Sequence, residues 1–136
     1  LGQNIIVAGV GKVGKALVRQ LTAEGHNLTV IDQNSHVLES LVVRYDAIGV
    51  HGNCASKAVL LQAGIMETDL VITTTDADEL NLLCCMTAHG INPKVHTIAR
   101  IRDPEYSESL QMLQHDLGID MTINPERTAA NEVFRL

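Results

Sequence analysis

Short runs of apolar, often β-branched residues alternate along the chain with longer segments in which apolar residues recur at helical spacing. The alternation continues from end to end without an internal repeat or a low-complexity stretch. Short apolar runs are typical of buried strands, and the longer periodic segments are typical of amphipathic helices. Strands that alternate with helices form βαβ units, which place the strands parallel. The pattern therefore predicts an α/β fold built on a parallel sheet.

The first two strand–helix units have the clearest predicted boundaries. Residues 4–8 form a nearly continuous apolar run, as expected for a strand that is buried on both faces. A helix is predicted at 12–23 and a second strand at 28–32. The second helix is predicted to begin near Asn34 or Ser35, since either side chain can cap it.

Four further strands and four further helices are predicted. The strands fall at 47–50, 70–74, 95–101 and 121–124. The helices fall at 56–64, 78–89, 104–113 and 125–136. Six strands are the full complement of a dinucleotide-binding sheet. We therefore expect one domain, 1–136, with a Rossmann-like, doubly wound, mostly parallel six-stranded sheet and helices on both faces.

Two of the later helices carry more detailed expectations. Gly90 is expected to close the helix that begins at Asp78. The residues of that helix expected to face the core are Leu80, Leu83, Cys84 and Thr87. The last helix, which begins with Pro125, has no stop signal, so we expect the native chain to continue beyond it.

A glycine-rich turn connects the first strand to the first helix. Gly9, Gly11 and Gly14 have the GxGxxG spacing, in the strand–turn–helix context in which this motif binds a dinucleotide. The first glycine permits a tight turn, the second lets a pyrophosphate approach the backbone, and the third lets the helix pack closely on the strand. The amides of Val10 to Val13 are expected to meet phosphate oxygens at the positive end of the helix.

Asp32 ends the second strand, as the acidic residue of a dinucleotide-binding unit should. Its carboxylate can accept hydrogen bonds from both hydroxyls of an adenosine ribose and would repel a 2′-phosphate. The sequence therefore favours NAD(H), or another adenine nucleotide with an unphosphorylated ribose, over NADP(H). The alternative is a glycine turn with a surface aspartate. Lys12 either adds positive charge near a phosphate or is solvated.

Residues that follow the carboxyl ends of the other strands are further candidates, because these ends face the ligand crevice of an open parallel sheet. They are Asn53, Cys54, Thr75, Asp76 and Arg100. Asp76 either orients a ligand or cation or complements a helix dipole, whereas Asp78 and Glu79 are expected only to complement the dipole.

Arg100 and Arg102 are two residues apart on a predicted strand, so they should point to the same face, where one could meet a nucleotide phosphate or form a salt bridge. Cys54 is the one thiol that is a candidate for redox sensing, although buried, inert thiols such as those expected for Cys84 and Cys85 are more common.

Composition narrows the range of partners. A net charge of −6 and few aromatic residues disfavour nucleic acid. No apolar run is long enough to cross a membrane. The three cysteines fit no disulfide framework, which favours a reducing cytosol, and the six histidines have no metal-ligand spacing.

Motifs that would indicate catalysis are missing from the sequence. Neither Tyr45 nor Tyr106 has the lysine four residues later that short-chain dehydrogenases use, and the chain contains no GxSxG elbow or P-loop. We therefore expect a nucleotide-binding domain without catalytic activity rather than an enzyme. Two alternatives stay open, an oxidoreductase subunit without its substrate domain and a homodimerisation module with a vestigial nucleotide site.

A set of motifs that spans nearly the whole chain resembles the N-terminal nucleotide-binding domain of the TrkA, or RCK/KTN, family of cytosolic regulators of bacterial potassium transport. These motifs are GVGKVG at 9–14, TVID at 29–32, HGN at 51–53, AGI at 63–65, DLVI at 69–72, TDADELN at 75–81, IARIRDPEY at 98–106 and INPE at 123–126.

This resemblance implies that the domain binds NAD(H), or ATP/ADP as in related members. The ligand contacts it implies are Gly9, Val10, Gly11, Lys12, Val13, Asp32, Thr75, Asp76 and Arg100, with Asn53 and Cys54 near the adenine. Where the family commonly has an aspartate in the turn after the third strand, this sequence has Asn53.

The resemblance also implies a membrane-embedded potassium transporter subunit of the TrkH/KtrB type as partner. The domain would form a homodimer or a higher ring, act from the cytoplasm at the inner face of the plasma membrane, and gate that partner through a change of shape. The family also has a C-terminal effector domain, which we expect to be missing from residues 1–136.

Overall fold

The computed structural model describes residues 2–117 and the backbone of 121–123. The strands are β1 (Asn4–Ala8), β2 (Asn27–Asp32), β3 (Ile48–His51), β4 (Leu70–Thr73), β5 (His96–Arg100) and β6 (Met121–Ile123). The helices are α1 (Lys12–Ala23), α2 (Ser35–Tyr45), α3 (Lys57–Gln62), α4 (Asp78–Ile91) and α5 (Glu105–Leu117). A short 3₁₀ helix lies at Ile65–Glu67. The helix predicted at 125–136 lies outside the described residues.

All the strands pair in parallel, in the order β3-β2-β1-β4-β5-β6. From β1 the chain moves outward through β2 to β3, then returns to the other side of β1 and moves outward through β4 and β5. The direction reverses between β1 and β4, and a crevice opens at the carboxyl ends of the strands at such a switch point. The predicted α/β class and the parallel pairing are confirmed.

Two core layers cover the two faces of the sheet. Successive side chains of a strand point to opposite faces, so β1 sends Ile5 and Val7 to one layer and Ile6 and Ala8 to the other. Helices α1 and α2 complete the first layer, and α3 and α4 complete the second. Helices therefore cover both faces, and the unbroken apolar run of β1 follows from its burial on both sides.

Helix caps explain several predicted boundaries. The Asn34 Oδ1 atom accepts hydrogen bonds from the backbone N–H of His36 at 3.0 Å and of Val37 at 3.4 Å, so Asn34 rather than Ser35 caps α2. The Ser56 hydroxyl oxygen accepts from the Val59 N–H at 3.4 Å at the start of α3. Side chains that satisfy the free amides of a first turn fix where a helix begins.

The predictions for α4 were partly wrong. Gly90 does not close the helix, which continues to Ile91 and ends at Asn92. The Asn92 N–H donates to the Ala88 carbonyl oxygen at 2.9 Å, and the Asn92 side-chain amide donates to the Ile65 carbonyl oxygen at 2.9 Å. A side chain anchored in the protein interior thus ends the helix.

The buried face of α4 also differs from the predicted one. Leu83, which was expected to face the core, is 52% exposed. The buried positions are Asp78, Asn81, Cys84, Cys85 and Ala88, a helical stripe that places two polar side chains on the inward face. Sequence pattern favours the apolar residue at 83 over the asparagine at 81, which is why this prediction failed.

Gly90, in the last turn of α4, and Gly25, just after the end of α1, are both exposed. Replacing each by alanine gives a matched test of how the two helices end. A Cβ atom at Gly90 meets nothing within 4 Å, and Gly90 has no positive φ. We expect Gly90→Ala to raise the free energy of unfolding by about 0.5 kcal/mol, since alanine has the higher helix propensity. Gly25 is equally open but has φ +88°, so Gly25→Ala should lower it by about 1 kcal/mol. Urea unfolding measures both, and a loss of stability in Gly90→Ala would contradict the helical assignment.

Candidate functional site

A cavity of about 330 Å³ lies at the carboxyl ends of the central strands. It occupies the switch point between β1 and β4, where an open α/β sheet binds its ligand. The lining residues are Gly9, Val10, Gly11, Ile31, Asp32, Gln33, Asn34, Val37, Gly52, Cys54, Thr74, Thr75, Asp76 and Leu80. We call this cavity the crevice.

The glycine turn forms one side of the crevice and is held against β4. Gly9 has φ +88°, and a Cβ atom there would lie 2.6 Å from the Thr75 backbone nitrogen. The Thr74 hydroxyl donates to the Gly9 carbonyl oxygen at 2.5 Å, and a Cβ atom on Gly14 would collide with that same oxygen. By contrast, a Cβ atom at Gly11 would meet nothing within 4 Å. Gly9 and Gly14 are therefore required for packing, whereas Gly11 faces open space.

Asp32 faces the glycine turn from the end of β2. Its Oδ2 atom accepts a hydrogen bond from the Val10 N–H at 2.8 Å, and its Oδ1 atom accepts one from the Asn34 N–H at 2.8 Å. The sequence prediction gave the Val10 amide to a phosphate, but in this structure that amide is used by Asp32. The free amides at the start of α1 are those that follow Gly11, because the first turn of a helix has no intrahelical acceptors.

Asn81 organises the opposite side of the crevice. Its side chain is fully buried, and its Oδ1 atom accepts hydrogen bonds from the Thr75 N–H at 2.9 Å and the Thr75 hydroxyl at 2.6 Å. Its amide nitrogen donates to the carbonyl oxygens of Thr75 at 3.2 Å and Arg100 at 2.8 Å. One side chain thus connects the loop after β4 to the end of β5. Sequence reasoning missed it, although a polar residue on the buried stripe of α4 was the available signal.

Asp78 has a similar connecting role. It is only 8% exposed, and its carboxylate accepts hydrogen bonds from the backbone N–H groups of Arg102 at 3.0 Å and Asp103 at 2.9 Å. The sequence prediction gave Asp78 only an interaction with the helix dipole. The contacts show that it also fixes the chain that leaves β5, next to the Asn81 contact.

The predicted site residues separate into two groups. Those that line the crevice are Gly9, Val10, Gly11, Asp32, Cys54, Thr75 and Asp76. Those that do not line it are Lys12, Val13, Gly14, Asn53 and Arg100. Lys12 is exposed in the first turn of α1, and the Asn53 side chain accepts from the Ala55 N–H at 2.9 Å within its own turn. Lining residues that the sequence did not indicate include Val37 and Leu80.

The two arginines do not share a strand face as predicted. Strand β5 ends at Arg100, so Arg102 lies beyond it and is exposed. Arg100 is 8% exposed, and its Nε atom has no hydrogen-bond partner among the described residues. The spacing rule failed here because it requires both residues to be within one strand.

Shifted pKa values occur in two places. A hydrogen bond with Cys84 lowers the pKa of Cys54, against the opposing effects of burial and the negative charge of Asp32. The same hydrogen bond and burial raise the pKa of Cys84 well above its usual range. Away from the crevice, the Tyr106 hydroxyl donates to Glu79 at 2.7 Å, which lowers the pKa of Glu79 and raises that of Tyr106.

Among the described residues, no group of three or more His, Cys, Asp or Glu side chains is placed to hold a metal ion. None of the described helices is both long and apolar enough to span a membrane.

The sequence matches one protein family over most of its length. The model of the TrkA-N domain family matches residues 5–125. The Trk system potassium uptake protein TrkA of Haemophilus influenzae is 34% identical over 135 residues, which cover 98% of this chain and 30% of that protein. A TrkA homolog of Pyrococcus abyssi is 31% identical over 132 residues, which cover 96% of this chain and 58% of that protein. The chain thus spans less than two thirds of these relatives.

Solved structures share the fold. The TrkA-N domain of the inner membrane protein ybaL from Escherichia coli has a TM-score of 0.81 at 22% identity, over 98% of this chain and 95% of that one. The Shewanella denitrificans Kef C-terminal domain in its AMP-bound form has a TM-score of 0.78 at 23% identity, over 96% and 76%. The GsuK channel bound to NAD has a TM-score of 0.74 at 20% identity, over 90% and 21%.

The glycine turn gives a second matched stability test. We expect Gly9→Ala to lower the free energy of unfolding by about 2 kcal/mol, because the new methyl group meets the Thr75 backbone and φ is positive. Gly11→Ala should change it by less than about 0.5 kcal/mol, because the space around Gly11 is open. Urea unfolding compares the two variants. Equal losses of stability would show that the turn is not packed as described.

Proposed function

The chain belongs to the TrkA-N domain family, and from this premise we propose that it is the nucleotide-sensing domain of a regulatory subunit of a potassium uptake system. It binds NAD(H), or ATP/ADP, in the crevice. Through a change of conformation it gates a membrane-embedded potassium transporter subunit of the TrkH/KtrB type. It acts as a homodimer or a larger ring in the cytoplasm, at the inner face of the plasma membrane.

The observation that carries the proposal is the carboxylate of Asp32 at the mouth of an open glycine turn. Two backbone N–H groups, at 2.8 Å each, hold this carboxylate in place. A carboxylate has about four lone-pair sites, so acceptor capacity is left for the two hydroxyls of an adenosine ribose. A 2′-phosphate would bring negative charge against Asp32, which is why we propose NAD(H) rather than NADP(H).

The phosphates would lie at the start of α1. Gly11 leaves open space next to amides that have no partner within the helix, and the helix dipole favours a negative charge there. Gly11, Lys12, Val13 and Gly14 supply this anion site in the proposal. Arg100 is buried, and its Nε atom, near the Asn81 contact, has no hydrogen-bond partner among the described residues, so it is the proposed further phosphate ligand.

The adenine would lie against the apolar part of the crevice. Ile31, Val37 and Cys54 line this part, and Asn53 lies in the turn between the lining residues Gly52 and Cys54. Thr75 and Asp76 form the other wall, whose backbone is held by Asn81. We propose that this wall distinguishes nucleotides by the groups that follow their first phosphates. The wall is suited to this role because Asn81 connects it to the end of β5.

Regulation requires that nucleotides prefer different conformations, since a ligand that binds two states equally shifts neither. Structural relatives of this fold include a channel bound to NAD, the same channel bound to ADP and a domain bound to AMP. This range supports competition between adenine nucleotides for one crevice. The TrkA relatives support a potassium transporter as the partner that responds.

Calorimetric titration of the purified chain, freed of copurified nucleotide, tests the proposal. NADH, NAD⁺, NADPH, ATP and ADP are titrated under one set of conditions. We expect clear discrimination between NADH, NAD⁺, ATP and ADP, with NADPH the weakest. Absence of binding by all of them would refute the proposal. Turnover of NADH with a carbonyl substrate would instead favour the oxidoreductase alternative.

Replacement of Asp32 tests the proposed ribose contact. Asp32→Asn keeps the shape of the side chain but removes its charge. Hydrogen bonds to a charged group contribute about 1.5–3 kcal/mol, so we expect NADH to bind about tenfold to a hundredfold more weakly. The preference for NADH over NADPH should shrink at the same time. Calorimetry measures both affinities.

Glu108→Gln is the control for this experiment. It makes the same change of charge at an exposed position of α5. Its nucleotide affinity should equal that of the unaltered chain. If Asp32→Asn also binds NADH with unaltered affinity, Asp32 is not the ribose ligand.

A further inference from the structure

Two cysteines meet at the floor of the crevice. Cys54 lies in the turn between β3 and α3, and Cys84 lies on the inward face of α4. Both are buried members of the core cluster that contains Leu60, and their side chains interact there. The chain positions of these residues are far apart, so the fold itself creates the pair.

The third cysteine does not belong to this pair. Cys85 is adjacent to Cys84 in sequence but packs in a different cluster with Ala99 and Leu110. Its sulfur lies 3.6 Å from the Thr73 hydroxyl oxygen. Cys85 is therefore a natural control for any reaction of the pair.

The two paired thiols differ in access. Cys54 is 4% exposed and is one of the residues that line the crevice. Cys84 has no exposed surface and does not line the crevice. A reagent that enters from solvent therefore meets Cys54 first.

The two thiols also differ in acidity. The Cys84 thiol donates a hydrogen bond that stabilises the Cys54 thiolate, so the pKa of Cys54 is lowered and that of Cys84 is raised. Because the thiolate is the reactive form, we assign the role of nucleophile to Cys54, which lines the crevice, rather than to Cys84, which does not. A reactive thiol next to a protonated second thiol is the arrangement of a redox-sensitive pair.

We propose that Cys54 and Cys84 form a hydroperoxide-sensitive pair that closes to a disulfide across the floor of the crevice and weakens nucleotide binding. The effect on nucleotides rests on the function proposed above, whereas the reaction of the thiols does not.

The reaction has two steps. The Cys54 thiolate attacks an oxygen of a hydroperoxide, so a sulfur–oxygen bond forms, the oxygen–oxygen bond breaks, and hydroxide or an alkoxide leaves. This step oxidises the sulfur to a sulfenic acid and reduces the peroxide. The Cys84 sulfur then attacks the Cys54 sulfur, and the hydroxyl group leaves as water with the Cys84 proton. A dithiol reverses the product by thiol–disulfide exchange.

Disulfide formation should change the shape of the crevice because it shortens the distance between the sulfur atoms of Cys54 and Cys84. Bonded sulfur atoms are about 2.05 Å apart, which is closer than hydrogen-bonded sulfurs can approach. The turn that carries Cys54 must therefore move toward α4. That turn lies beside Gly52, another lining residue, so its displacement alters the apolar part of the crevice.

Peptide mapping tests the reaction. The reduced chain is treated with hydrogen peroxide, digested without reductant and analysed by mass spectrometry. We expect a bridge between Cys54 and Cys84, with Cys85 left as a thiol. A bridge that involves Cys85, a cross-link between two chains, or the absence of any bridge would overturn the proposal.

Alanine variants, checked for folding by circular dichroism, identify the role of each cysteine. Cys84→Ala should leave Cys54 as a sulfenic acid that dimedone traps. Cys54→Ala should make oxidation of Cys84 at least about tenfold slower, because the accessible thiolate is gone. Cys85→Ala should form the bridge as the unaltered chain does. Equal rates of Cys84 oxidation with and without Cys54 would overturn the assignment of the nucleophile.

Calorimetry with ADP then tests the regulatory part on the reduced and oxidised forms of the Cys85→Ala chain. We expect the oxidised form to bind ADP at least about tenfold more weakly and a dithiol to restore the affinity. Equal affinities would overturn the regulatory part of the inference. If the reduced form binds no nucleotide at all, the proposed function fails together with this regulatory part, while the peptide map still decides whether the thiols react.

Discussion

The crevice depends on one constraint, the close packing of the glycine turn, the start of α1 and the end of β4 at the switch point of the sheet. The carbonyl group of Gly9 lies between Gly14 of α1 and the hydroxyl of Thr74, so a side chain at either glycine would push α1 away from β4. Backbone amides can face a ligand only because α1 begins this close to the ends of the strands. The same approach brings Val10 to the carboxylate of Asp32 and so fixes the side chain that we assign to the ribose.

A second constraint operates on the far wall of the crevice. The Asn81 side chain uses both its donor and its acceptor capacity on backbone and hydroxyl groups of Thr75 and Arg100. Leaving such buried groups without partners would cost about 1–3 kcal/mol each, so the loop after β4 and the end of β5 are strongly coupled. Asp78 extends this coupling to the chain that enters α5. A displacement of Thr75 by a ligand would therefore be transmitted to β5 and beyond.

Local pattern was sufficient to predict much of the fold. The predicted bounds of β1 and α1 agree with the structure, because a doubly buried strand, a glycine turn and an amphipathic helix each have a distinct signature. The position of Asp32 at the end of β2 was predictable for the same reason. In α4, however, the choice between Leu83 and Asn81 for the inward face depended on a hydrogen-bond partner in β5.

The site was less predictable than the fold, since its details depend on contacts between segments far apart in sequence. The motif predicted a turn at Gly9 to Gly14, but it did not reveal that the Val10 amide is used by Asp32. The expectation that strand ends face the crevice singled out Arg100 at the end of β5, without revealing that this side chain is buried. The contact of Cys54 with Cys84 likewise has no signature in either local sequence.

The order of the strands has a consequence for biosynthesis. Strand β1 is central, with β2 on one side and β4 on the other, and Ile5 pairs with Leu70 across the second of these ladders. When the first three strands have left the ribosome, one edge of this very apolar strand still has no neighbour. Unpaired edges of this kind promote aggregation, and domains emerge from the ribosome at about 5–20 residues per second. The nascent chain must therefore remain protected for seconds, until β4 is made and the crevice can form.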